Sequence, residues 1–139
     1  MAASLIFTTE PLATRALAAE IRHDHVRFVA KLAEHVGAGR LGRFADVRAE
    51  HGDQKIDIAL TFVEPGLVVG IEAKFDHTLT EDQVDRELTV ADHLVVLLLE
   101  REHAPEWLPR KARVTLMTWE EALDCFPHSR LTLAEVGAA

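Results

Sequence analysis

The stretch KIDIALTFVEPGLVVGIEAKF, residues 55–75, decides the fold. Its first half alternates, with Ile56, Ile58, Leu60 and Phe62 on one side of an extended chain, the period-two pattern of a strand with one buried face. Glu64, Pro65 and Gly66 form a turn, and LVVGIEAKF, 67–75, continues as a second strand. Three charged residues interrupt the two strands: Asp57, Glu72 and Lys74. The apolar set is even-numbered on the first strand and odd-numbered on the second, and a slip of one residue would turn one set outward. If both sets face one core, Asp57 shares a face with Glu72 and Lys74. One allowed register sets Asp57 opposite Glu72 and the next sets it opposite Lys74. Either way the two carboxylates lie within about 8 Å at the backbone, close enough for one cation to bridge them.

Outward from this hairpin, apolar residues recur at Leu17, Ile21, Phe28, Leu32 and Val36 on a helical stripe that begins near Thr9 and Pro11 and ends at Gly37. One long helix or two abutting ones satisfy that pattern. RFADVRAE, 43–50, is a further strand candidate. Thr80 with Gln83 fits a capping box, and Glu81 and Asp82 suit a first helical turn, so a helix is expected from there to about Val90. HLVVLLLE, 93–100, is apolar almost throughout, as in a strand buried on both faces. ARVTLMT, 112–118, is the last strand, followed by a short helix capped by Thr118 with Glu121. The expected architecture is α/β in a single domain over 1–139: a mixed central sheet flanked by helices, with a right-handed parallel crossover from strand 67–75 to strand 93–100.

Composition narrows the function. The chain has 139 residues, 48% of them apolar, and a formal charge of -8, which suits a globular core and not a disordered tail. The longest strong apolar run, Leu94 to Leu99, is far short of the roughly 20 residues that span a bilayer, so no membrane segment is expected. The opening MAASLIFTTEP lacks a basic segment, so no secretory signal is expected. The single cysteine, Cys125, permits no internal disulfide, which makes the cytoplasm the default location. An acidic total argues against coating nucleic acid by charge alone. Residues 1–70 nonetheless carry 8 basic and 9 acidic groups, against 7 and 14 over 71–139, so the acidity belongs to the second half. Arg40, Arg43 and Arg48 lie near Gly37, Gly39 and Gly42 in a locally basic stretch that leaves room for a nucleic-acid face.

Two carboxylates so close repel one another unless something positive sits between them. Lys74 supplies one charge, and a divalent cation such as Mg²⁺, which takes one or two protein carboxylates plus water and phosphate oxygens, would supply two more. An ammonium beside the ion can hold an attacking water for in-line displacement at a phosphodiester. The plainer alternative is a cross-strand ion network on a solvated sheet face, which is common and contributes little.

Asp57, then Glu72-Ala73-Lys74 on the next strand, resembles the D-x(n)-E-x-K signature of the PD-(D/E)XK nuclease superfamily, and the order helix, three strands, helix, strand is similar to its restriction-endonuclease-like αβββαβ core. The resemblance covers about residues 21 to 100 and extends to a Gln in the following helix, Gln83. It implies a Mg²⁺- or Mn²⁺-dependent endonuclease in which Asp57 and Glu72 ligate the metal, the Ala73 carbonyl adds a ligand, Lys74 orients water and Gln83 points towards the site. It implies a nucleic-acid substrate, with DNA favoured over RNA by frequency among members. A homodimer, a partner subunit or structure-specific recognition is also implied, since so small a domain has limited surface for sequence-specific recognition.

Two parts of the family pattern are missing. Some members place a Tyr four residues after the Gln, where this chain has Glu87 and no Tyr anywhere. Many carry a Glu on the first helix facing the metal. Here the spacing from Gly37 brings His25 nearest, with Glu20, Asp24 and Glu34 as neighbours, and no choice among the four follows from sequence. The missing first-helix Glu and the acidic second half leave a second reading open, a non-catalytic module of the same fold that binds nucleic acid or a protein partner. Eight histidines suggest zinc, but none are spaced as a known site. Trp107 and Trp119 read as packing residues. Arg110, Lys111 and Arg113 form a basic knot that suits either phosphate binding or a guarded strand edge.

Overall fold

The computed structural model describes residues 10–37, 41–51, 56–64, 66–74 and 79–127. The helical stripe forms two abutting helices, α1 (Glu10–His23) and α2 (Val26–Val36), parted at Asp24 and His25, where the Asp24 carboxylate accepts from the Val26 N–H at 3.4 Å. Gly37 closes α2 in the left-handed region, φ 79°, and its N–H returns to the Ala33 and Glu34 carbonyls. The strands are β1 (Arg43–His51), β2 (Ile56–Val63), β3 (Leu67–Lys74), β4 (His93–Leu98) and β5 (Val114–Thr118), with α3 (Glu81–Glu87) between β3 and β4 and α4 (Trp119–Leu123) after β5. They form one mixed sheet in the order β1-β2-β3-β4-β5, antiparallel across the first two pairs and parallel across the last two. This is the expected α/β class. Among the described residues no helix is long and apolar enough to cross a membrane.

Several boundaries differ from the sequence reading. The helix expected to reach Val90 ends at Glu87, because the Thr89 N–H and hydroxyl both turn back to the Arg86 carbonyl. The last strand begins at Val114 and not at Ala112, since Arg113 sits at φ 65°, outside the extended region. β4 stops at Leu98 and gives way to a 3-10 turn at Arg101–His103. The expected strand ends Lys55 and Phe75 lie outside the described residues.

Two cores sit on the two faces of the sheet. Leu17 and Ile21 of α1 and Phe28 and Leu32 of α2 bury against Ile58, Leu60, Phe62, Val69, Ile71, Val95 and Leu97, and Trp119 joins this cluster fully buried. On the other face Val84 and Leu88 pack on Leu94, Val96 and Leu98. The even and odd residues of β4 thus feed different cores, which explains its unbroken apolar run. Ile71 and Ala73 belong to the α1 side, so Glu72 and Lys74 turn towards α3.

The β2–β3 ladder pairs Ile58 with Ile71, Leu60 with Val69 and Phe62 with Leu67, the register that sets Asp57 against Glu72. The alternation breaks at Ile56. Its Cγ2 stands 3.1 Å from where a Cβ on Gly70 would be, next to Leu94 Cδ1, on the α3 side and not with Ile58. Gly70, having no side chain, leaves the space that Ile56 fills.

Candidate functional site

The ladder between β2 and β3 stops at Ile58–Ile71 although both strands continue. Beyond it, Asp57 Oδ2 accepts from the Ala73 N–H at 2.8 Å, so a carboxylate takes the place of a strand carbonyl and β2 and β3 part around it. Glu72 is only 3% exposed. Its Oε2 accepts from Gln83 Nε2 at 2.7 Å and faces Lys74 Nζ at 3.3 Å. Burying a carboxylate this deeply is tolerable only because an ammonium and an amide both attend it.

α3 is aimed at this cluster by contacts on both its sides. Thr80 Oγ1 accepts from the Gln83 N–H at 3.2 Å and so starts the helix, but the Gln83 side chain reaches Glu72 through its amide nitrogen. The capping role and the site-facing role of Gln83 are thus divided between its backbone and its side chain. On the outer face, Lys111 Nζ bridges Glu81 Oε2 at 2.8 Å and Asp85 Oδ1 at 2.5 Å, tying α3 to the segment before β5. The basic knot is therefore partly committed to holding α3 and does not stand as an open phosphate clasp.

Gln83 and Glu87, one helical turn apart, share the inner face of α3. Glu87 is 1% exposed, and neither of its oxygens finds a hydrogen-bond donor among the described residues. Burial, then the Glu72 carboxylate within bonding reach, then the charge of Asp57 push its pKa from 4.5 up to about 10, against a smaller pull from Lys74. As a carboxylate Glu87 would face Glu72 with no proton between them; as an acid its own proton bridges the pair. Glu87 stands where some members of the resembled family carry a Tyr. Its position four residues after Gln83 was the signal that could have placed it here.

The four first-helix candidates sit elsewhere, because α1 and α2 cover the sheet face opposite to Glu72 and Lys74. His25 stacks on Phe44 with ring centroids 4.3 Å apart, and Phe44 pairs with Phe62 at the far end of β2 from Asp57. Asp24 and Glu34 are exposed, and Glu20 is half-exposed on α1. The expectation that His25 lies nearest the site is corrected accordingly: it is α3, not the first helix, that brings the extra carboxyl. Of the basic stretch near the glycines, Arg48 pairs with Asp46 at 2.7 Å and Arg43 lies 4.0 Å from Glu64, both exposed, while Arg40 lies outside the described residues.

Among the described residues no group of three or more His, Cys, Asp or Glu side chains is arranged to hold a metal ion as it stands. Asp57 is engaged by the Ala73 N–H and Glu72 by Lys74 and Gln83, so a cation would enter by exchanging one of these bonds. The oxygen donors here are of the kind a hard divalent ion takes, and the Glu87 oxygens, which find no donor among the described residues, have only the acid's own proton between them and Glu72. No family model, curated protein or solved structure matches the chain.

Proposed function

We propose that this protein is a divalent-metal-dependent endonuclease of the PD-(D/E)XK type, with the restriction-endonuclease-like αβββαβ core, that hydrolyses phosphodiester bonds of DNA. The observation that carries the reading is the meeting of Asp57, Glu72, Lys74 and Gln83 at the point where β2 parts from β3. Asp57 and Glu72, with the Ala73 carbonyl, would hold Mg²⁺ or Mn²⁺. Bound there, the ion supplies a Lewis acid that activates water and offsets charge on the phosphoryl oxygens. Lys74, 16% exposed beside Glu72, presents an ammonium to hold the attacking water and to steady the developing negative charge. Gln83 is a positioning residue: its amide fixes the Glu72 carboxylate from α3.

The same site explains how a chain of net charge -8 would engage a polyanion. Glu81, Asp82 and Asp85 on α3 outnumber Arg86 and the bridging Lys111, and with Asp57 and Glu72 against Lys74 they leave the site region net acidic, so it repels phosphate until a cation is present. Fluorescence anisotropy with a labelled DNA duplex tests this, using Ca²⁺ in place of Mg²⁺ to hold back turnover. Affinity is expected to rise about tenfold or more from EDTA to Ca²⁺, and to lose that gain in Asp57→Asn and Glu72→Gln. Affinity indifferent to the metal would instead favour the non-catalytic module, a reading supported by the lack of an acid from α1 or α2 at the site.

A further inference from the structure

We propose that Glu87 is a third carboxylate ligand of the divalent cation, reaching the Asp57 and Glu72 pair from α3. This rests on the metal-dependent reading above and adds a residue to it. Three observations carry it. Glu87 is 1% exposed, yet neither of its oxygens has a donor among the described residues, whereas Glu72, the other deeply buried carboxylate among them, has an ammonium and an amide in attendance. It stands one turn beyond Gln83, whose side chain already reaches Glu72, so the helix face that fixes one ligand also presents Glu87 to it. Gln83 and Lys74 both meet Glu72 at Oε2, which leaves Oε1 clear of both.

Charge points to the same ligand class. With Glu87 ionised, Asp57, Glu72 and Glu87 set three carboxylates against the single ammonium of Lys74, an imbalance that a doubly charged cation offsets in place of the proton that Glu87 otherwise holds against Glu72. Carboxylate and carbonyl oxygens select Mg²⁺, Ca²⁺ or Mn²⁺ over softer metals. Packing alone gives no reason for a carboxyl here. Position 87 lies beside Val84 and Leu88, which bury against Leu94 and Val96, and an apolar side chain there would avoid the cost of desolvating a carboxyl. A group retained at such cost is characteristic of a site that works on charge.

Calorimetric titration of the full chain with Mn²⁺, followed by the Mn²⁺ electron paramagnetic resonance signal, tests the assignment without any need for turnover. Glu87→Gln is expected to weaken Mn²⁺ binding about tenfold or more and to shrink the rise in melting temperature that Mn²⁺ produces. His25→Ala, which alters a residue on the other face, should bind as the wild type does. Wild-type affinity in Glu87→Gln overturns the role of Glu87 and leaves the metal-dependent reading standing. No Mn²⁺ binding by the wild type overturns both.

Discussion

Lys74→Ala is expected to lower kcat for DNA cleavage by about 10²- to 10⁴-fold, with KM changed little. The size follows from what the ammonium does. It stands 3.3 Å from Glu72 Oε2 and is the one cation among the four site residues, so under the proposed mechanism its loss would remove the donor that holds the attacking water and balances charge in the transition state. In the proposed mechanism ground-state binding of DNA would rest on the metal and on surface contacts, which this change leaves in place, so the loss is expected to fall on kcat. Mn²⁺ should still bind, because removing a positive neighbour eases the approach of another cation. Lys74→Arg should not restore the rate, since a planar guanidinium does not present a point charge in the same place. Steady-state kinetics beside a Mn²⁺ titration checks both halves; a variant that cleaves at the wild-type rate removes Lys74 from the chemistry.

The second large effect is on stability. Glu87→Gln is expected to stabilise the metal-free protein by up to about 3 kcal/mol at pH 7. A carboxyl raised from 4.5 to about 10 on folding keeps its proton while the unfolded chain releases its own. Stability from this group is therefore intact below about 4.5 and falls as pH rises towards 10, the reverse of an ordinary ion-paired carboxylate. Glutamine keeps the shape, donates a hydrogen bond to Glu72 and has no proton to lose. Urea denaturation from pH 5 to 9 in EDTA should show wild-type stability declining relative to Glu87→Gln, the gap widening with pH. Parallel curves would mean that Glu87 is not held protonated. Since the same substitution is expected to weaken Mn²⁺ binding, stability and function are opposed at this position.

The parts of the fold that follow from periodicity are legible in the sequence. The alternation of β2 against β3 limits the register to those that keep both apolar sets on one face, and the ladder Ile58–Ile71 to Phe62–Leu67 adopts the one that sets Asp57 against Glu72; the apolar run of β4 reflects two cores. Reading failed where one residue serves a tertiary need. Ile56 leaves its expected face to fill the space over Gly70, a demand set by a residue on another strand. Arg113 at φ 65° ends a strand pattern that composition alone would extend. Within the site, Asp57, Glu72 and Lys74 stood out because charge on a buried strand is conspicuous. Glu87 did not, because one Glu in an acidic helix resembles its solvated neighbours Glu81, Asp82 and Asp85 until the direction of the helix face is known. His25 misled for a related reason: the stripe places it near the sheet but does not say which face the helix covers.

The most direct measurement is cleavage of supercoiled plasmid and branched DNA by the wild-type chain in Mg²⁺, in Mn²⁺ and in EDTA. Nicked or linear product is expected with either metal and none in EDTA. Product formed equally in EDTA, or no product under any of the three conditions, would contradict the metal-dependent mechanism.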